Sequence, residues 1–404
     1  VWWWDCHGIY IEQKVQAKLG IESNKAINNF GIEKFVQECY NFTNSVVDEW
    51  YWIIDQIWRW LDMDNAYQTM DNDYMESVMR VFKTLYDKGL VYKGKRVSMY
   101  STKLNTPISN FEVQADNSYA EINDPAITVK FKITDQAFEN ISWQKLTWKE
   151  FFLAWTTTPW TVPANIALVV NKEFDYLLVW WLIDGSNIAP TNEQPGHYDF
   201  PVDENKYVIV KNKFTEVFRK KLIKIKYLEW DASGIVEVHN IKIDENNAFY
   251  VEENNQKKYI TGDITIIKGW ELEWIEYEPP FSFYAWKWEV NHNVYLADYV
   301  SDTDGTGIVH TAPEFGEEDF QTGLKYKLFQ TEALDEAGNY TEEIGEYKWI
   351  YYRDANSIII DKLKDRGLLL NNRADSITHT VPMCPRTNTP LIYKTQDSWF
   401  IDIQ

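Results

Sequence analysis

The first 106 residues contain no proline, and apolar side chains recur in them at three- and four-residue spacing. That pattern commits the start of the chain to helices, because proline is excluded from helix interiors and an apolar stripe needs this period to face a core. The spacing predicts a long helix through IEKFVQECYNFTNSVVDEWYWIIDQIWRWL, from Ile32. A second runs through YMESVMRVFKTLYDKGL and stops at Gly89. The following LVYKGKRVSMYS reads as two short strands about a Lys-Gly turn. Beyond NTPISNFEV the period changes. ITVKFKI, FFLAWTT, IALVV, YLLVW, KYVIVK, YITGDITII and VYLADYV are short β-type runs separated by Gly, Pro, Asn and Asp. Helical texture returns in DANSIIIDKLKDRGLL, closed by Gly367, before a proline-containing end. The plainest architecture is a β-rich domain inserted into an α/β domain.

At 404 residues the chain is long enough for two or three cores. Its net charge of -21 disfavours non-specific adhesion to nucleic acid, since a phosphate backbone is held mainly by Lys and Arg, but leaves room for a local basic groove. No apolar run approaches the length of a membrane span, and no secretory leader is visible. Three scattered cysteines, Cys6, Cys39 and Cys384, suit a reducing compartment rather than a disulfide framework. A cytoplasmic location is expected.

Four stretches carry candidate chemistry. AWTTTPWTVPAN presents three consecutive hydroxyls, Thr156 to Thr158, ahead of Pro159. This is what a strand end looks like, since Thr and Trp favour strands and proline stops the ladder. It also suits a loop that binds an ester or a water. GTGIVHTAPEFGEEDF places His310 after a short apolar run and Asp319 in an acidic triplet. A strand-end histidine and a helix start rich in carboxylates account for both in structural terms. Brought together with the threonines, they would make a pocket with a carboxylate for an ammonium group and hydroxyls beside an ester. WDCHGI, with Asp5 and His7, fits a strand end in an open α/β sheet. CPRT, at Cys384, lacks the second cysteine of a zinc knuckle, and no second pair occurs elsewhere, so no metal site is expected.

In this order these stretches, with YSTKLNTPISNFEV, LEWIEYEPPF and TPLIYKTQDSWF, resemble the isoleucyl-tRNA synthetases, a family of class I aminoacyl-tRNA synthetases. AWTTTPWTVPAN discriminates, because the leucyl and valyl sister families typically carry an arginine and an acidic residue around that proline. The resemblance implies parts of a Rossmann-type catalytic domain over residues 1–117 and 379–404. A β-rich editing domain over 118–378 interrupts it. It implies that Asp5 and His7 belong to the amino-acid site, with Asp5 on the amino group. Thr156, Thr157, Thr158, Asn165, His310 and Asp319 would form the editing pocket, with Asp319 on the substrate ammonium. In the complete enzyme, isoleucine is joined to its tRNA with ATP and Mg2+, and mischarged valyl-tRNA is hydrolysed. No membrane partner is implied. The HIGH-type and KMSKS-type ATP signatures of the family do not occur. By the family's order they belong before Val1 and after Gln404, so synthesis of isoleucyl-adenylate is not expected from this chain alone. A free-standing editing hydrolase and a non-catalytic tRNA-binding paralogue are the alternatives.

The chain departs from the family at several points. Tyr10 stands at the usual proline of the HG motif, and Thr387 where a zinc-ligating cysteine often occurs. Trp3, Trp58, Trp274 and Trp349 stand where glycine is expected, and the chain holds 20 tryptophans against 17 glycines. Glycine codons of the UGA type, translated here as tryptophan, would account for this; lineage drift in an aromatic-rich protein is the alternative. Trp4, Trp60, Trp155, Trp160 and Trp399 match family tryptophans.

Overall fold

The strand Tyr119–Ile133 changes character along its length. Its first half alternates between exposed and half-buried positions, whereas Ala126–Ile133 is almost wholly buried. The first half pairs antiparallel with Asp375–Pro382, and the second with Glu150–Thr156 and Tyr277–Glu278. ITVKFKI alternates, so Ile127, Val129, Phe131 and Ile133 share one fully buried face and Thr128, Lys130 and Lys132 the other.

This is a computed structural model, and it describes the chain except residues 1, 22–23, 58, 116, 143–146, 148, 184–202, 218–221, 227–234, 239–241, 244–248, 254–255, 261–264, 373 and 404. The chain divides into two compact units, Val1–Gly94 with Asp397–Gln404, and Lys95–Gln396.

In the first unit the periodic segments form helices Ile9–Leu19, Asn24–Phe30, Ile32–Gln56 and Asn72–Asp87. Among the described residues of Ile32–Gln56, Phe35, Thr43, Val47 and Ile54 are buried, spaced by about whole turns along one face. Gly89, at φ 72°, ends the fourth helix as its position in the sequence implies. A short parallel pair, Trp3–Trp4 with Tyr67–Gln68, lies in this unit. The hairpin expected at LVYKGKRVSMYS is instead one strand, Val91–Ser101. Lys-Gly reads locally as a turn, but a Cβ on Gly94 would lie 3.0 Å from the Phe400 ring. Glycine serves close packing there, not a change of direction.

The second unit is built on a nine-stranded sheet. Its central order is Asp175–Ile183, Asp203–Val210, Glu150–Thr156 and Tyr119–Ile133. Most of the β-type runs of the sequence are found in it. YITGDITII contributes to two strands, Gln256–Ile260 and Thr265–Lys268, with residues 261–264 outside the described set. Glu150 and Lys206 face each other in the parallel pair Glu150–Thr156/Asp203–Val210, both almost fully buried and 2.8 Å apart. A smaller sheet joins Val294–Leu296, Ala167–Val170 and Ile308–Thr311. Helix Tyr352–Asp365 packs on the core through Tyr352, Ala355, Ile359 and Leu363, one stripe at helical spacing. The architecture is mixed α/β with several sheets, and Lys95–Gln396 is its β-rich part.

Candidate functional site

Thr156 is the last residue of its strand, and Pro159 opens a short 3-10 helix, Pro159–Ala164. Proline has no N–H to continue the ladder and its fixed φ suits the first position of a helical turn. The strand end and the hydroxyl cluster are therefore one feature. Every residue of the 3-10 helix is buried. Trp160 anchors it, with ring centroids 4.8 Å from both Phe315 and Tyr352, and its backbone N–H donates to Asn356 Oδ1 at 3.0 Å. The rim above this anchor carries Thr156, Thr157 and Thr158, all half-buried.

The strand Ile308–Thr311 comes alongside because Ala167–Val170 pairs with it antiparallel, His310 opposite Leu168. Gly307 permits that approach: at φ 71° its position would put a Cβ 2.3 Å from the Val210 side chain. His310 is thereby brought 2.9 Å from Thr161 Oγ1 through Nε2, and 2.8 Å from Asn165 Nδ2 through Nδ1. Thr161 Oγ1 donates to the Thr158 carbonyl at 2.9 Å and lies 3.3 Å from Thr158 Oγ1. Thr158 Oγ1 is 3.1 Å from Thr156 Oγ1, which also accepts the Thr158 backbone N–H at 3.1 Å. Asn165 donates to the Ala167 carbonyl at 2.9 Å and accepts the Tyr277 hydroxyl at 2.7 Å. One hydrogen-bonded run thus extends from buried Tyr277 to the threonine rim.

Burial lowers His310 to a pKa of about 4, so the imidazole is neutral near pH 7, with both ring nitrogens engaged. It orients its neighbours; it has no lone pair free for a proton from water. Asp319 lies in the first turn of helix Glu317–Tyr326, its carboxyl folded back over Gly316. Burial pushes this carboxyl up to about 7, opposed by a hydrogen bond from the Ala312 backbone N–H and reinforced by Glu318. That bond ties Asp319 to the chain two residues beyond His310.

Of the residues singled out from sequence, Thr156 is joined to Thr158 and Asn165 to His310, and the two pairs meet through Thr161. Thr157 sits between the joined threonines, and Asp319 is linked through Ala312. Thr161 and Tyr277 belong to the same run. Thr161 lies in the segment already marked by its hydroxyls, and Tyr277 in LEWIEYEPPF, a stretch to which the resemblance assigns no role. Asp5 and His7 are exposed in the first unit, where the Asp5 carboxylate accepts the His7 backbone N–H at 3.3 Å ahead of helix Ile9–Leu19. Among the described residues no group of three or more His, Cys, Asp or Glu side chains is placed to hold a metal ion. No helix among them is long and apolar enough to cross a membrane.

The family model describing class I tRNA synthetases (I, L, M and V) matches residues 1–404, and the chain belongs to that family. Within it, the similarity is to isoleucine--tRNA ligases. The chain is 35% identical over 414 residues to that of Wolbachia pipientis wMel, covering 99% of this chain and 34% of the relative. It is 34% identical over 403 residues to that of Protochlamydia amoebophila, and 35% over 417 residues to that of Rickettsia typhi, covering 99% of this chain and 32% of the relative in both cases. The chain thus spans about one third of the length of these relatives. Among solved structures, the P. knowlesi cytosolic leucyl-tRNA synthetase editing domain matches 61% of this chain and 95% of its own, with a TM-score of 0.39 and 11% identity.

Proposed function

We propose that this chain is part of an isoleucine--tRNA ligase and that the Thr156–Asp319 pocket hydrolyses valine from mischarged tRNA. Residues 118–378 are the editing domain in this reading, and 1–117 with 379–404 belong to the synthetic domain. The complete enzyme joins isoleucine to its tRNA at the expense of ATP with Mg2+, and Asp5 and His7 serve its amino-acid site. The observation that carries the editing assignment is the hydrogen-bonded run Asn165–His310–Thr161–Thr158–Thr156, which unites segments 149 residues apart.

The chemistry explains why a second site is needed. Isoleucine and valine differ by one methylene, worth about 1–3 kcal/mol in an apolar pocket, and this pair is the familiar case of that limit. A smaller pocket that admits valine and hydrolyses its ester supplies the remainder. Ionised Asp319 holds the substrate α-ammonium, fixing the ester over the rim. The threonine hydroxyls hold water against the ester carbonyl. Water adds, the acyl–oxygen bond breaks, and free valine and a tRNA hydroxyl are released. Neutral His310 does not take the proton; it fixes Thr161 and hence the rim, so the rate comes from positioning rather than a strong side-chain base.

Deacylation of Val-tRNA and Ile-tRNA, both on the isoleucine isoacceptor, tests this. Val-tRNA is expected to be cleared and Ile-tRNA spared, and Asp319→Ala is expected to abolish valine release. Equal loss of both esters, or loss of neither, overturns the reading.

A further inference from the structure

We propose that Tyr277 is a positioning residue of this pocket, setting the tautomer of His310 from the buried end of the hydrogen-bonded run; the inference rests on the editing role assigned to that pocket. Tyr277 is 3% exposed, and its hydroxyl donates to Asn165 Oδ1. Burial raises its pKa further above the ordinary tyrosine value, so at neutral pH it is a donor. With Oδ1 turned to Tyr277, both Asn165 N–H bonds point the other way, to the Ala167 carbonyl and His310 Nδ1. Nδ1 must then present its lone pair, and a neutral ring carries its one proton on Nε2. Nε2–H donates to Thr161 Oγ1, whose own proton goes to the Thr158 carbonyl. The phenol acts together with two carbonyls that favour the same directions, Ala167 accepting the amide N–H and Thr158 the Thr161 proton.

The rings are held to the same end. Phe131 stacks on His310 at 6.4 Å and 20°, and meets Tyr277 edge to face at 5.5 Å and 86°. Tyr277→Phe keeps this apolar packing and deletes only the donor, leaving Asn165 Oδ1 buried with no phenol to satisfy it. Asn165 Nδ2 then keeps the Ala167 carbonyl and His310, while an amide rotated to relieve Oδ1 would give up the Ala167 bond, present oxygen to His310 and favour the Nδ1–H tautomer. A rim set in two ways positions water less well.

Two readouts on the full chain separate the possibilities. In 15N-edited NMR of the His310 ring, the parent protein is expected to show the Nε2–H tautomer, and Tyr277→Phe a mixture of both. For Val-tRNA, the same variant is expected to lose about tenfold in kcat, the scale of one buried acceptor left unsatisfied, with KM little changed. An Nδ1–H tautomer in the parent protein, or an unchanged tautomer and kcat in Tyr277→Phe, overturns the proposal. The NMR arm needs no turnover. A tautomer shift without any valyl-ester hydrolysis would uphold the lock and sink the editing assignment instead.

A second observation stands apart from the pocket. Seven described residues other than glycine have positive φ: four asparagines, Lys327, Trp274 at 72° and Trp349 at 70°. Asparagine tolerates the left-handed region, while an indole-bearing residue rarely adopts it. Neither tryptophan is a core anchor. Trp274 is 53% and Trp349 61% exposed, against 7% for Trp160. Both turns are held by backbone bonds, Trp274 N–H to the Val294 carbonyl and Trp349 N–H to the Tyr340 carbonyl, each 2.8 Å. We infer that the protein in its own cell carries glycine at 274 and 349, inserted at UGA codons. Reading the coding DNA and the masses of the two peptides from the natural protein tests it. UGA with glycine masses is expected; UGG, or a tryptophan mass, at either position overturns it there. Trp3 lies in an extended strand and is not drawn into the argument, and Trp58 lies outside the described residues.

Discussion

At Trp274 and Trp349 the left-handed backbone sets a cost that side-chain contacts must offset. Trp274 has edge contacts with Tyr295 and Tyr326, at 5.1 and 5.9 Å, whereas Trp349 is mostly in water. A non-glycine residue held in this region costs on the order of 1–3 kcal/mol. Trp349→Gly is therefore expected to stabilise the fold by about 1–2 kcal/mol, and Trp274→Gly by less, because ring packing is surrendered with the strain. Chemical denaturation of the two variants measures this; destabilisation by Trp349→Gly would contradict it. Asp319 shows the opposite economy. Its carboxyl, raised from 3.8 to about 7, is ionised above that pH against the preference of its surroundings. Asp319→Asn is expected to stabilise the fold at pH 8 while removing valine release.

Paired strands set the next scale. The Glu150–Lys206 pair sits between two strands of the main sheet, and the Glu150 carboxylate also accepts from the Thr147 hydroxyl at 2.8 Å. Burial alone would raise the Glu150 pKa; the hydrogen bonds from Lys206 and Thr147 reverse this and leave it below 4.5. Its contribution is present above that ordinary value and lost as acid protonates the carboxylate. Lys206→Met strands a buried charge, so a loss of about 3–5 kcal/mol is expected, whereas Glu150→Leu combined with Lys206→Met should recover most of it. A double-mutant cycle by urea unfolding checks this, and additive losses would refute the coupling. The β-type runs FFLAWTT and KYVIVK that form these strands were readable in advance. The Val91–Ser101 element was not, because the Phe400 ring that makes Gly94 a packing position comes from the far end of the chain.

For the molecule as a whole, buried titratable groups act in opposite directions on acid stability. His310 and His292 are each lowered from 6.5 to about 4 by burial, so the unfolded chain takes up their protons first as pH falls. Their stabilising effect is present above about pH 6.5 and lost between there and about 4. Asp319 works the other way over 7 to 3.8, so the parent protein alone does not separate the two. The stability difference between the parent and His310→Gln is expected to shrink from pH 7 to pH 4.5; a constant difference would rule out a neutral buried His310. The pH dependence of kcat/KM for Val-tRNA should rise through about pH 7 as Asp319 ionises, and a flat profile across that range would contradict its role.

The residue types of the pocket, the helical opening and the β-rich middle were determined by the sequence alone, since period, turn residues and hydroxyl clustering are local properties. Thr156, Thr158 and His310 stood out for that reason, whereas Asn165 was marked only by the resemblance to the synthetase family. Only the tertiary structure decided which of them touch, because pairing of Ala167–Val170 with Ile308–Thr311 carries His310 across 149 residues to Thr161. Tyr277 became visible in the same way. Its role comes from where its hydroxyl ends, buried against Asn165, and no local pattern encodes a long-range contact of that kind.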